Sequence, residues 1–385
     1  MNPSRRLALA RAIQTLGLAL TLTAAGLPFA AQVDIDDDDH DAGLRAGHVF
    51  TSTNATAGNE VMVYRAAPGA APVLVARLAT NGLGTGTGLG NQGAVTLSGS
   101  GRHLFVVNPA SHSVSTFAVR REALVLRSTV DSGGLRPISV TEHQGLVYVL
   151  NADGAGNISG FRDDHGTLVP LAGSTRPLSA ASGTGSAQVG FSPDGDTLLV
   201  TEKATNRLTS YPVDADGRAG VPVVTASAGI TPFGFAFDRR GHALVSEAFG
   251  GAAGASALSS YTFDEWAPAR PVIVSASVGT TQTAACWVVV TPNGRHAYVT
   301  NTGSGTISRY AVQKKGGRLA LAQGIAATAG AGPIDAAISH DGRHLFVLNS
   351  GSHTLGMYAV ADDGTLAASG AASGLPTGAN GLAAN

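Results

Sequence analysis

The chain has 385 residues, 51 of them glycine, and only 13% are charged, with a formal net charge of −1. About 25% charged residues is usual for globular domains, and the length exceeds the size at which one ordinary core keeps growing. The near-neutral charge argues against a nucleic-acid-binding protein. A single cysteine, Cys286, excludes an internal disulfide and a multi-thiolate metal site. Abundant Val, Thr and Ser between glycine-containing turns instead indicate an all-β repeat protein.

The first 31 residues differ from the rest of the chain. Three arginines lie within the first eleven positions, an apolar stretch follows at 12–27, and small residues stand at Ala30 and Ala31. A basic start, a short apolar segment and a small-residue end are typical of a secretory signal peptide. We therefore predict a signal peptide over residues 1–31 and a secreted or periplasmic protein. No later apolar run reaches the roughly 18 residues that would predict a membrane span.

An acidic segment follows the predicted signal. Residues 32–47 contain six aspartates around His40, but they lack the spaced acids and the glycine of a calcium-binding loop. We predict a disordered linker there. Because residues 1–31 hold three arginines and no acid, their removal changes the formal net charge from −1 to −4.

Internal repetition predicts the architecture of the remaining chain. The closest copies are residues 291–301 and 339–349, each a polar turn with glycine followed by an alternating apolar strand. Equivalent strands end at positions 108, 151, 202, 247, 301 and 349, which suits four short strands per repeat. A seventh unit is split between residues 48–78 and 376–385. We therefore predict that residues 48–385 form a seven-bladed β-propeller whose C-terminal strand joins the N-terminal blade.

One glycine-rich segment has a misleading pattern. Residues 88–93 match a dinucleotide-binding fingerprint, but they lead into a strand and not into a helix. They are predicted to be a loop. The chain also lacks the G-x-S-x-G, H-E-x-x-H and C-x-x-C motifs, so serine-hydrolase, zincin and thioredoxin chemistry have no support.

The predicted site lies on one face of the propeller, where inner strands begin and second strands end. We call this the loop face; two sets of loops approach the central channel there. Six strand-end residues are expected to form a polar ring on it: Asn108, Asn151, Glu202, Glu247, Asn301 and Asn349. Three inner-strand residues, aligned by the repeat, add to this face: Gln188, Trp287 and Asp335. For the asparagines, a bond to the backbone of the next turn is the structural alternative.

Charged residues distinguish two neighbouring blades. A carboxylate near a channel costs desolvation unless it is paired, so Glu202 and Glu247 are predicted to be catalytic or, alternatively, to form structural pairs, with Lys203 as the expected partner. Arg136, Lys203 and Arg207 lie in nearby loops. If they point inward they form a cationic pocket for a carboxylate or phosphate; exposed rim charges are the alternative.

The repeat resembles a known family. The Ser192-Pro-Asp-Gly195 turn and the Gly305-Thr-Ile-Ser308 run resemble the lactonase-type propellers, which include bacterial 6-phosphogluconolactonases and fungal carboxymuconate cyclases. Tyr298-Val-Thr-Asn301 also resembles the repeat of YVTN surface-layer propellers. The resemblance covers residues 48–385. It implies the opening or closing of a lactone on a small anionic substrate, in a metal-independent or divalent-assisted site.

Two functions of different classes remain open. In the first, a lactonase-like hydrolase, Glu202 or Glu247 activates water and Arg136 or Arg207 binds the anion of the substrate; Asp335 and asparagine side chains are the candidate oxygen ligands if a divalent cation takes part. In the second, a non-catalytic envelope propeller binds a glycan, a peptide or a partner protein on the same face. No organic cofactor is indicated, and a monomer is expected.

Overall fold

The computed structural model describes residues 47–120, 123–264 and 269–385. The predicted signal peptide and all but the last residue of the predicted linker lie outside these residues, so both stay predictions. In the described part of the chain, no helix is long and apolar enough to cross a membrane.

Seven antiparallel sheets form the blades of a ring, as predicted. Blade 1 contains β1 (Gly47–Ser52), β2 (Glu60–Ala66) and β3 (Val73–Ala79); blade 2 contains β4 (Val95–Leu97), β5 (His103–Asn108), β6 (Ser113–Val119) and β7 (Leu124–Asp131). Blade 3 contains β8 (Leu135–His143), β9 (Leu146–Asp153), β10 (Asn157–Asp164) and β11 (Thr167–Pro170), and the short β12 (Arg176–Pro177) also pairs with β10. Blade 4 contains β13 (Ser186–Phe191), β14 (Thr197–Glu202), β15 (Arg207–Pro212) and β16 (Val223–Ala226).

The remaining blades follow the same order. Blade 5 contains β17 (Pro232–Phe237), β18 (Ala243–Glu247), β19 (Ala257–Phe263) and β20 (Pro271–Gly279), with a short 3-10 turn at Phe249–Gly251. Blade 6 contains β21 (Ala285–Val290), β22 (His296–Asn301), β23 (Thr306–Val312) and β24 (Leu319–Thr328). Blade 7 contains β25 (Pro333–Ile338), β26 (His344–Asn349), β27 (Thr354–Val360) and β28 (Leu366–Ser373).

The last strand, β29 (Asn380–Ala384), closes the ring. It pairs antiparallel with β1, with Ala384 opposite Val49 and Ala383 opposite Phe50, and completes blade 1 in the order β29-β1-β2-β3. The predicted split blade is therefore confirmed. β29 thus supplies the inner strand next to β1, and one sheet holds the first and last strands of the ring together.

The hydrophobic core lies between neighbouring blades. One buried cluster joins Phe50 and Val63 of blade 1 to Leu104 and Phe117 of blade 2. Buried tyrosines also link blades, as the Tyr148 hydroxyl of blade 3 donates to the Gly217 carbonyl of blade 4 at 2.9 Å. Each blade alone exposes two apolar faces, so stacking around the ring is what removes them from water.

A recurrent irregularity sets the start of the inner strands. In β13, Ser186 lies opposite Glu202 and Gln188 lies opposite Thr201, so the inner strand has one extra residue. The same bulge precedes Trp287 in β21 and Asp335 in β25. Gln188, Trp287 and Asp335 thus occupy equivalent positions, as predicted, and each inner strand begins where its neighbouring strand ends, on the loop face.

Candidate ligand-binding site at the central channel

The four strand-end asparagines are buried inside their blades, each at most 1% exposed. Asn108 accepts a hydrogen bond from the Thr80 hydroxyl at 2.7 Å, and Asn151 accepts one from the Ser132 hydroxyl at 2.7 Å. Asn301 donates to the Thr306 hydroxyl, and Asn349 donates to the Thr354 hydroxyl. These contacts are structural, but they are made to side-chain hydroxyls and not, as the alternative had it, to the backbone of the next turn. Direct binding of a ligand by these side chains stays a prediction and would require the covering loops to move.

Glu202 holds two loops together. Its side chain is fully buried, and it accepts hydrogen bonds from the Ser179 backbone N–H at 3.0 Å and from the Ser179 hydroxyl. The hydroxyls of Thr205 and Thr209 donate at 2.9 and 2.7 Å. Ser179 lies in the loop that leads into blade 4, and Thr205 lies in the β14–β15 turn. The carboxylate is therefore bonded by hydroxyl and amide groups, and the ion pair expected with Lys203 is absent from the described ion pairs.

Glu247 has an equivalent environment one blade further on. The fully buried carboxylate accepts from the Gly229 N–H at 2.8 Å and from the hydroxyls of Ser259 and Ser277, each at 2.6 Å. A Cβ atom at position 229 would lie 2.3 Å from the carboxylate, so only glycine fits there. Both carboxylates accept hydrogen bonds from protein N–H and O–H groups, which offsets the cost of burying a charge. Their catalytic assignment stays a prediction.

Lys203 points toward the channel instead. Its ammonium donates to the Gly90 carbonyl and to the Ser186 carbonyl at 3.2 Å, and its nitrogen lies 4.6 Å from the centroid of the Phe233 ring. Burial lowers the pKa of Lys203 to about 8; the nearby Cys286 thiol opposes this shift and the positive charge of Arg136 adds to it. A lysine in this state can hold an anion or accept a proton near neutral pH.

The other two predicted cations differ in position. Arg136 lies at the rim of the channel, where its guanidinium contacts the Asp153 carboxylate at 3.3 Å and its backbone N–H donates to His112 Nδ1 at 3.0 Å. Arg207 is exposed and begins β15, the third strand of blade 4. The structure therefore brings Arg136 close enough to Lys203 to lower the pKa of the lysine, while Arg207 is an exposed charge at the start of β15.

Residues 88–93 cross the channel, a role that the sequence analysis missed. We call this segment the plug loop. The Asn91 side chain donates to the Ile138 carbonyl of blade 3, and the Gln92 backbone N–H donates to the Ala187 carbonyl of blade 4 at 3.1 Å. The Gln92 side chain donates to the Val288 carbonyl of blade 6 at 2.9 Å. The predicted loop conformation is confirmed. Its position before the shortest inner strand, β4, is the one signal that indicated a special role.

The three aligned inner-strand residues surround this plug loop. Trp287 donates from its indole nitrogen to the Asn91 carbonyl at 2.6 Å and packs against Phe233, with the ring centroids 5.0 Å apart. Gln188 bonds both the N–H and the carbonyl of Phe235, at 2.7 and 2.9 Å. Asp335 is 1% exposed, and burial raises its pKa well above the usual range, against the opposing effect of nearby backbone N–H groups.

The described residues contain no group of three or more His, Cys, Asp or Glu side chains that could hold a metal ion. The oxygen ligands considered from the sequence are separated by the fold, since the asparagines lie inside their blades while Asp335 lies on the channel wall.

The chain is similar to lactonase-type proteins. The family model described as "Lactonase, 7-bladed beta-propeller" matches residues 260–379. A candidate 6-phosphogluconolactonase from Bacteroides uniformis is 19% identical with a TM-score of 0.68, covering 87% of this chain and 99% of its own. A periplasmic gluconolactonase from Pseudomonas aeruginosa is 18% identical with a TM-score of 0.66. The match covers 87% of this chain and 98% of the gluconolactonase.

A functionally unknown protein from Desulfotomaculum acetoxidans has the same fold, with 14% identity, a TM-score of 0.68 and coverage of 88% and 98%. No curated protein sequence matches the chain. At these identities the solved structures establish the fold alone. The predicted resemblance is confirmed in these terms: residues 260–379 match the lactonase family model, and the whole ring has the fold of the lactonase-type seven-bladed propellers.

Proposed function

We propose that this protein is a lactonase-like hydrolase that opens a small anionic lactone or sugar-acid derivative at the loop face of the channel. The observation that carries the proposal is the half-buried Lys203 at the channel mouth, which contacts the Gly90 carbonyl and the Phe233 ring, has a pKa lowered to about 8 and has Arg136 nearby. The family match and the names of the structural relatives support the reaction class.

The two cations have complementary chemistry. The planar guanidinium of Arg136 suits a carboxylate or phosphate group of the substrate. In its neutral form, the Lys203 amine accepts a proton from water while the water oxygen attacks the lactone carbonyl. The ring C–O bond then breaks, and the proton passes to the departing oxygen, which gives the open hydroxy acid. Glu202 and Glu247 remain alternative bases, but each would first have to lose several hydrogen bonds.

An exported location is part of the proposal. The pattern of residues 1–31 supports it. A structural relative that is named as a periplasmic enzyme is consistent with it.

A second candidate function is a binding propeller without catalysis. The observation that favours it is the full hydrogen bonding of both buried glutamates, which gives each a structural role independent of any reaction. Lys203 and Arg136 would then hold an anionic ligand of the cell envelope.

The decisive experiment assays protein from residue 32 onward on γ- and δ-lactones with and without a carboxylate or phosphate group, in the presence and absence of a chelator. We expect turnover of the anionic lactones, and a loss of at least about tenfold in kcat/KM for Lys203→Met and Arg136→Met. Lys315→Met is the matched control, because Lys315 is exposed in the β23–β24 turn. Turnover that is absent, or that both variants retain, would overturn the proposed site.

A further inference from the structure

A cavity of about 260 Å³ occupies the central channel beside the plug loop. Its wall follows the inner strands of blades 2 and 1, from Gln92 to Leu97 and from Leu382 to Ala384, and includes Gln188 and Asp335. Because inner strands run away from the loop face, the cavity extends toward the opposite face of the ring. Its volume corresponds to roughly eight or nine water molecules, which suits a molecule of a few heavy atoms.

Asp335 is the one titratable residue on this wall in the part of the chain that the structure describes. Its Oδ1 atom accepts a hydrogen bond from the Ala336 N–H at 2.8 Å, whereas its buried Oδ2 atom has no hydrogen bond of good geometry among the described residues. The Leu382 backbone N–H lies close enough to the carboxyl group to oppose the rise in its pKa, but it brings no counter-charge. A buried carboxylate without a counter-charge is costly, and burial accordingly raises the pKa of this carboxyl group. Burial without a counter-charge therefore favours the protonated acid, and a cation beside Oδ2 would stabilise the carboxylate.

The other polar side chains on the wall already have partners. Gln92 bonds the carbonyl and the N–H of Val288, and Gln188 bonds both groups of Phe235. The Thr96 hydroxyl donates to the Val140 carbonyl at 2.8 Å. One carboxylate oxygen is thus the main free acceptor, which is far fewer than the six to eight oxygen ligands that Ca²⁺ takes. An anion would meet no cationic side chain on this wall.

The rest of the wall is aliphatic, with Val95, Leu97 and Leu382 beside two alanines. We propose that this cavity binds a small primary ammonium ion, whose N–H group donates to Asp335 Oδ2 and whose short alkyl group contacts these aliphatic side chains. Such a site combines a charge-assisted hydrogen bond with burial of apolar surface. Lys203 is not among the residues that line this cavity, and the inference does not depend on the proposed hydrolysis.

Ethylammonium chloride is the probe, titrated into the mature protein by isothermal calorimetry, with ethanol as the neutral molecule of similar size. We expect saturable binding of ethylammonium, weaker binding of ethanol, and proton release that appears as a dependence of the heat on the buffer. Asp335→Asn should weaken ethylammonium binding by about tenfold or more, because the charge is lost while the side chain keeps its shape.

Ala384→Phe provides a second variant, which narrows the cavity while Asp335 remains intact; it should weaken binding by a similar factor. Far-UV circular dichroism and the thermal midpoint establish that both variants are folded. Equal affinity of Asp335→Asn and wild type, equal affinity for ethanol and ethylammonium, displacement of ethylammonium by Ca²⁺, or no saturable binding to the wild type would each overturn the proposal.

Discussion

The Lys203 ammonium of blade 4 lies over the Phe233 ring of blade 5, with its nitrogen 4.6 Å from the ring centroid. The contact joins two neighbouring blades at the channel mouth. An aromatic face compensates part of the charge of a partly dehydrated cation, but it does not replace water. The lysine consequently keeps a pKa of about 8, well below the ordinary value of 10.5.

This lowered pKa predicts how stability depends on pH. Between pH 8 and 10.5 the unfolded chain binds a proton at Lys203 that the folded protein has lost, so the free energy of unfolding should rise with pH over this window, by up to about 3 kcal/mol. Urea unfolding at several pH values, compared with Lys203→Met, measures the effect. The difference between wild type and variant should change across the window, whereas Lys315→Met should follow the wild type; parallel curves for Lys203→Met would refute the assignment.

Glu202→Gln and Glu247→Gln should each destabilise the protein by about 2–4 kcal/mol. Three or four donors converge on each carboxylate, and an amide group would turn its own N–H toward one of them. Chemical denaturation measures the change. Glu60→Gln is the matched control, because Glu60 forms an exposed contact with Arg77 at 3.5 Å and its loss should cost under about 1 kcal/mol.

The same variants separate a structural role from a catalytic one. If the glutamates only hold the loops, residual activity should recover when the protein is assayed well below its unfolding temperature. A variant as stable as the wild type but without activity would instead support the catalytic role predicted from the sequence.

The sequence predicted the ring of blades because its signal is local and repeated. Polar turns with glycine and alternating strands recur in every unit, and the alignment they define placed Gln188, Trp287 and Asp335 at equivalent positions, as the strand register confirms. The split blade was also predictable, since residues 376–385 lack a following strand and residues 48–78 lack a preceding one.

The orientation of the side chains was less predictable. Glu202 and Lys203 are adjacent in the sequence, but one is bonded inside the blade and the other reaches the channel. Glu202 bonds Ser179, which is 23 positions away, whereas Lys203 contacts Gly90, which is 113 positions away. Gln92 and Val288, which also meet at the channel, are 196 positions apart. No local pattern encodes such a contact. The interpretation of residues 88–93 as an ordinary loop was therefore correct in conformation and incomplete in function.

Asp335→Asn should stabilise the protein at neutral pH, by about 1–3 kcal/mol. The pKa of Asp335 is higher in the folded protein than in the unfolded chain, so its contribution to stability is present at low pH and is lost as the pH rises toward the folded value. Urea unfolding between pH 4 and pH 8 should show that the free energy of unfolding of the variant, relative to that of the wild type, increases with pH. A variant that is less stable than the wild type at every pH would contradict the inferred protonation.

Gln92→Ala should open the centre of the ring. The side chain makes two hydrogen bonds to Val288 on a different blade, at 2.9 and 3.3 Å, and it is buried. Its removal leaves the Val288 N–H and carbonyl without these partners, which should cost about 2–3 kcal/mol in the free energy of unfolding. Gln313→Ala, in an exposed turn, is the control and should change stability by less than about 0.5 kcal/mol.

The same variant should also affect Lys203, because the plug loop carries the Gly90 carbonyl that this lysine contacts. We expect Gln92→Ala to move the pKa of Lys203 back toward 10.5, as followed by the pH dependence of unfolding. An unchanged lysine pKa with reduced stability would mean that the plug loop keeps its place without Gln92.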